Sequence, residues 1–78
     1  MATLRLFASI REAAGTGHDT VDGDTVGAVL DAAVERFGPD FARLLENSKV
    51  WVNGEPAGRN ARVGAADEVA ILPPVSGG

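Results

Sequence analysis

At 78 residues and 45% apolar composition, the chain can build one small core and is too short for two domains. It has no cysteine, which excludes disulfide staples, thiolate metal sites and a cysteine nucleophile. Seven Lys+Arg against eleven Asp+Glu give a net charge of −4, the opposite of the balance a general nucleic-acid binder shows, and no apolar run is long enough to span a bilayer.

Thr3 to Phe7 alternates in polarity and predicts a strand, with Leu4 and Leu6 on one face and Phe7 on the other. Ile10 to Ala14 predicts a helical turn, followed by the turn signal Gly15-Thr16-Gly17. His18 to Val21 predicts a weakly apolar strand suited to a sheet edge. Asp24 or Thr25 can cap the next helix, because a short side-chain oxygen accepts an orphan backbone N–H. Val26, Val29, Leu30, Ala33, Val34 and Phe37 then recur at i, i+3, i+4, i+7, i+8 and i+11, the apolar stripe of an amphipathic helix. Gly38-Pro39 stops that helix.

Asp40 to Glu46 predicts a short second helical piece tucked onto the core by Phe41 with Leu44 or Leu45. Val50 to Val52 predicts a strand, and Asn53-Gly54 a two-residue hairpin turn. Glu55 to Ala57 is the return strand, confined to an edge by Pro56. Glu68 to Leu72 is the last strand, with Val69 and Ile71 facing the core. These elements predict an α+β fold: a mixed sheet of four to five strands, covered on one face by one main helix. Residues 1–72 are expected to form this domain, and residues 73–78 an extended, flexible tail.

The second sheet face has no predicted helix. Phe7, Trp51 and Leu72 are out of phase with their core-facing neighbours and point toward it. Either they form an exposed partner surface, or a loop or the short helix covers them as a minor core.

Conventional catalysis has little material here. His18 is the lone histidine, and on a strand it and Asp19 point to opposite faces, so it reads as a solvated edge residue. The carboxylates are scattered without the spacing of a metal loop, and no metal site is expected. Gly15-Thr16-Gly17 lacks the remaining residues of a phosphate-binding loop. No charged segment followed by an apolar stretch marks a secretory signal, and the expected location is the cytoplasm.

The segment Pro73-Pro74-Val75-Ser76-Gly77-Gly78 carries more information. Two prolines end strand pairing and hold their predecessors extended. Six extended residues at about 3.1 Å each reach roughly 18 Å. Two glycines without β-carbons can thread a narrow channel and leave a terminal carboxylate sterically open. The other reading is a frayed terminus.

In four blocks the sequence resembles the ubiquitin-like sulfur carriers, most of all the small subunit of molybdopterin synthase. The blocks are Leu6 to Gly15, the helix Thr25 to Phe37, Val52-Asn53-Gly54-Glu55, and Asp67 to Gly78. The last is the most specific, since thiamine-pathway carriers end in Gly-Gly but usually lack the preceding Pro-Pro-Val. One departure is Ala66-Asp67 where many relatives have Gly-Asp, with Gly64 placed to serve the same turn.

The resemblance implies a β-grasp fold and a mechanism. A partner enzyme would use ATP to adenylate the carboxylate of Gly78, and a sulfur donor would convert the adenylate to a thiocarboxylate. The tail would then enter the active site of the synthase large subunit, where the sulfur builds the dithiolene of molybdopterin. The chain would bind no cofactor and would not be an enzyme on its own. Partner contacts would fall on Phe7, Arg11, Leu72, Pro73, Pro74, Val75, Ser76 and Gly77. Arg11 reads equally as an ordinary surface arginine. Related carriers serve thiamine or cysteine synthesis or protein conjugation, and a β-grasp interaction module with an inert tail is the reading from another class.

Overall fold

The computed structural model describes residues 1–74. In chain order the elements are β1 (Ala2–Leu6), α1 (Ala8–Ala14), β2 (His18–Val21), α2 (Val26–Phe37), α3 (Pro39–Leu45), β3 (Lys49–Val52), β4 (Glu55–Pro56) and β5 (Glu68–Leu72). The strands form one sheet in the order β2-β1-β5-β3-β4. β1 and β5 pair in parallel at its centre, and the other pairings are antiparallel. The five-stranded mixed sheet with helices packed on it is the β-grasp arrangement expected from the sequence.

Period-two alternation decides which face each residue takes. Ala2, Leu4 and Leu6 of β1 and Val69 and Ile71 of β5 are buried toward the helices. On α2, Val26, Val29, Leu30 and Ala33 are buried against them. Val34 and Phe37 of the same stripe are half-buried, because they face α3, where the Phe37 and Phe41 rings stand 5.1 Å apart.

The cover over the sheet is wider than one helix. Ile10 of α1 and Phe41 of α3 are fully buried beside the residues of α2. Burying one phenylalanine contributes about 2–3 kcal/mol, a large share of the roughly 4–12 kcal/mol that a domain of this length holds in total. Gly38-Pro39 ends α2 as expected and also starts α3, with Gly38 at φ 94° and Pro39 at the first helical position, where its missing N–H costs nothing.

Thr25 caps α2, its Oγ1 accepting a hydrogen bond from the Ala28 amide at 3.1 Å. The next orphan amides are met from far along the chain: Val26 N–H donates to the Ala61 carbonyl at 2.9 Å, and Gly27 N–H to the Arg59 carbonyl at 2.8 Å. This places the segment after β4 across the start of α2 and buries Val63.

β1 and β3 each start one residue earlier than the sequence predicts, at Ala2 and Lys49, and β1 and β4 each end one residue earlier. β1 ends at Leu6: Phe7 is still extended but unpaired, and Ala8 takes φ 51° to turn the chain into α1. The return strand is Glu55–Pro56, and beyond it the Ala57 N–H donates a hydrogen bond to the Val50 carbonyl at 3.0 Å.

Candidate functional site

The sheet face away from the helices is open. The register lines up His18, Arg5, Ala70, Trp51 and Pro56 across all five strands. Ala70 lies between the two long side chains of Arg5 and Trp51, and its short side chain leaves a hollow. That hollow, of about 260 Å³, is lined by Phe7, Trp51, Gly54, Glu68, Ala70 and Leu72. Phe7 is 40% and Leu72 38% exposed, and Trp51 is half-buried. The three apolar residues singled out by strand phase therefore converge on one uncovered concavity. The helices, the short one included, lie on the opposite face.

A groove of about 400 Å³ continues from the hollow toward the chain end. Trp51 and Leu72 border both, and Asn47, Lys49, Pro73 and Pro74 complete the groove. Lys49 is the register partner of Leu72. Pro73 is half-buried and Pro74 exposed. Val75, Ser76, Gly77 and Gly78 lie outside the described residues.

Arg11 does not line the hollow. It lies in an adjoining pocket with Arg5, Leu6, Phe7, Gly17 and His18. Phe7 is the residue common to both concavities. The Arg5 guanidinium carbon lies 6.0 Å from the centre of the Phe7 ring, and its nitrogen is 3.5 Å from the Glu68 carboxylate. Both partners of that ion pair are nearly half exposed, so it contributes at most about 1 kcal/mol.

The strand that leads to the tail is anchored at its start. The Asn53 amide donates to the Glu68 carbonyl, and the Asn53 side chain accepts from the Glu68 amide, both at 3.0 Å. Asn53 Nδ2 also donates to Asp67 at 2.9 Å, and the Gly64 amide donates to the other Asp67 oxygen at 2.8 Å. Gly64 thus closes the turn before β5. The Asn53 side chain, followed by the Gly64 amide, holds the Asp67 carboxyl below its ordinary range. Asp19 on β2 is lowered in the same sense, first by Arg36 and then by the Thr20 amide.

No group of three or more His, Asp or Glu side chains converges as a metal site among the described residues, and no helix there is long and apolar enough to cross a membrane. The candidate site is an open, largely apolar face that runs from the hollow to Pro73 and Pro74. Sequence reasoning placed Phe7, Trp51 and Leu72 on it, but missed Arg5, Ala70 and Lys49. The alternation within β1, β5 and β3 carries the facing of Arg5, Ala70 and Lys49 in turn, whereas their neighbours depend on register, which one sequence does not display.

The sheet order and the helices packed on one face define a ubiquitin-like β-grasp domain. The ThiS family model matches residues 4–78, and the chain belongs to that family of ubiquitin-like sulfur carriers. It is 43% identical to small archaeal modifier protein 1 of Haloferax volcanii over 84 aligned positions, covering 95% of this chain and 97% of the relative. It is 32% identical to the molybdopterin synthase sulfur carrier subunit of Dictyostelium discoideum, covering 96% and 93%. Among solved structures, the small archaeal modifier protein 1 of Methanosarcina acetivorans superposes with a TM-score of 0.89 at 28% identity, over 99% of this chain and 95% of the other. A chain in the crystal structure of the Amycolatopsis orientalis BexX/CysO complex superposes at 0.84 with 28% identity, over the full length of both. The family consists of small carrier or modifier proteins rather than free-standing enzymes.

Proposed function

We propose that this chain carries sulfur on the carboxyl of Gly78 for molybdopterin synthesis, as the small subunit of the synthase. The carboxylate is a poor electrophile. A partner enzyme transfers AMP to it from ATP, releasing pyrophosphate and leaving a mixed anhydride. A sulfur donor then attacks the carbonyl carbon, AMP departs, and a thiocarboxylate remains. That thiocarboxylate is the nucleophile delivered to the large subunit. The chain itself binds no cofactor and supplies no active site. The partners are the adenylating enzyme, the sulfur donor and the large subunit, in the cytoplasm.

The observation that carries this reading is the placement of β5. It is the middle strand of the sheet, pinned by Asn53 at its start, and it runs past Phe7 and Trp51 directly into Pro73-Pro74. A partner seated on the apolar hollow lies beside the origin of the tail and can receive Gly78 in its active site. The likeness to the Dictyostelium discoideum carrier subunit supports the acceptor.

The higher identity to a small archaeal modifier protein favours a second reading. There the same adenylate is attacked by a lysine amine of a target protein, AMP leaves, and an isopeptide forms. Adenylation is common to both readings, and intact-mass spectrometry after incubation with the cognate adenylating enzyme, ATP and a sulfur donor tests the sulfur step that belongs to the first. The expected result is a gain equal to one oxygen replaced by sulfur, located at Gly78. An unchanged mass with a demonstrably active enzyme overturns the sulfur-carrier reading and leaves the modifier reading or an interaction module with an inert tail.

A further inference from the structure

We infer that the pocket lined by Arg5, Arg11 and His18 beside the hollow receives a carboxylate side chain of the protein that docks on the open face. The inference rests on the docking reading above and adds the chemistry of the partner's rim.

The charge distribution carries it. The chain has a net charge of −4, yet three of its eight Lys, Arg and His residues line this one pocket of about 360 Å³. No acidic residue is among its lining residues. Arg36, Arg43 and Arg59 each sit within 4 Å of a carboxylate. Arg11 has no such partner among the described residues, and Arg5 has only the loose, half-exposed contact with Glu68. Asp19, the register partner of Leu4, faces the other way and is engaged by Arg36.

The pocket is assembled from two strands and a helix. Arg5 and His18 are cross-strand partners, and Arg11 reaches over from α1. Gly17 makes room for it: a β-carbon there would stand 3.1 Å from Arg11 Nε and 3.4 Å from Cζ. Gly17 has no positive φ, so its backbone does not require glycine and the space is what its missing side chain supplies. Two arginines and one histidine lining a pocket beside an apolar hollow supply N–H donors suited to a planar, bidentate acceptor. Such charged rims next to apolar centres set on-rate and partner choice. Continuity with the hollow through Phe7 argues for a protein side chain rather than a free anion.

The test uses the ¹⁵N-labelled chain titrated with glutarate, a stand-in for a glutamate side chain, at constant ionic strength. Saturable shifts are expected at the Arg5 and Arg11 Nε–Hε signals and the Gly17 and His18 amides, and Arg11→Gln should abolish them with the remaining spectrum intact. Shifts spread evenly over Arg43 and Arg62 overturn the inference, as does the absence of shifts. Stronger shifts with inorganic phosphate than with glutarate overturn the carboxylate assignment.

A second measurement follows binding to the cognate adenylating enzyme at low and high salt. Arg11→Gln is expected to weaken binding roughly tenfold at low salt and to flatten the salt dependence. Equal binding by variant and wild type overturns the inference. If the wild-type chain does not bind the enzyme at all, the carrier reading fails while the glutarate titration still decides the pocket.

Discussion

The carboxamide of Asn53 and the carboxylate of Asp67 are joined by a 2.9 Å hydrogen bond across the start of the central strand. Asn53 sits at φ 51° and Gly54 at φ 86°, the two positive angles a type I′ hairpin needs. One residue therefore makes the β3–β4 turn and fixes where β5 begins. Substituting Asn53 with Gly keeps the turn conformation and removes the side-chain bonds. Substituting it with Ala removes both, because alanine in the left-handed region costs about 1 kcal/mol or more. The expected order of stability in urea denaturation is wild type, then Asn53→Gly, then Asn53→Ala. Equal stability of the glycine variant and wild type would show that the side-chain bridge contributes nothing.

The same bridge sets an acid dependence. Hydrogen bonds to the ionised form lower the Asp67 carboxyl, and the Arg36 pair with the Thr20 amide lowers that of Asp19. A carboxyl whose folded value lies below its unfolded one stabilises the fold above the unfolded value. That stabilisation is lost as pH falls through the folded value. The window therefore lies below about pH 4. Asp67→Asn should be less stable than wild type at neutral pH and should show a shallower loss of stability below that point. Parallel curves for the two proteins would contradict the assignment. Asp67 and Asp19 lie at the surface, so both effects should shrink in high salt.

Gly23 and Gly58 should respond oppositely to alanine. At Gly23, with φ 154°, a β-carbon would stand 2.7 Å from the Val29 amide nitrogen and 3.0 Å from the Ala28 carbonyl carbon, both backbone atoms. Backbone in a helix cannot yield cheaply, so Gly23→Ala should cost about 2 kcal/mol or more. At Gly58 no atom lies within 4 Å and the backbone is outside the left-handed region. Gly58→Ala should be neutral or stabilise by up to about 1 kcal/mol through the unfolded chain. Thermal melts of the two variants read this directly, and a Gly23→Ala protein as stable as wild type would refute the close approach.

Ala8 follows Phe7 at φ 51°, a conformation that disfavours any residue with a β-carbon. Alanine to glycine inside a helix ordinarily costs about 1 kcal/mol. Here relief of the left-handed strain offsets that cost, so Ala8→Gly should leave the midpoint of urea denaturation unchanged or raised. A loss of the full helix penalty would mean that Ala8 is not strained. The strain sits next to a docking-face residue: the turn at Ala8 takes Phe7 out of β1 and leaves its ring exposed.

These positions separate what the sequence displays from what it withholds. The α2 helix was legible from its stripe, a cap at Asp24 or Thr25 and Gly38, because each is a local preference with a residue signature, and the structure assigns the cap to Thr25. The turn at Asn53-Gly54 was legible for the same reason. Ala8 left no sign, since the residue found there is not one that left-handed backbone favours. The capping of Val26 and Gly27 by the Ala61 and Arg59 carbonyls was hidden as well, because backbone atoms of any residue can serve. The basic pocket lay between the two cases. Arg5, Arg11 and His18 were visible as residues, but they meet only because β2 folds back on β1 in one register. Phase alone put Phe7, Trp51 and Leu72 on the second face and left open whether that face is covered, and its hollow depends on Ala70 standing opposite Trp51.

That hollow gives the sharpest separation of fold from docking. Ala70 is on the uncovered face, so a larger apolar residue there meets the hollow rather than the core. Ala70→Leu should leave stability within about 0.5 kcal/mol of wild type, as surface changes do. It should nonetheless block a partner side chain from entering between Phe7 and Trp51. Trp51→Ala widens the same hollow and removes an aromatic anchor of the kind that dominates interfaces, with an expected loss of about 2 kcal/mol in binding, or roughly thirtyfold. Both variants keep Gly78 and the tail. In an assay of thiocarboxylate formation at limiting adenylating enzyme, both should therefore lose rate through weaker association, and recover it when the enzyme is in excess. Full activity of both variants at limiting enzyme would mean that the partner reads the tail alone.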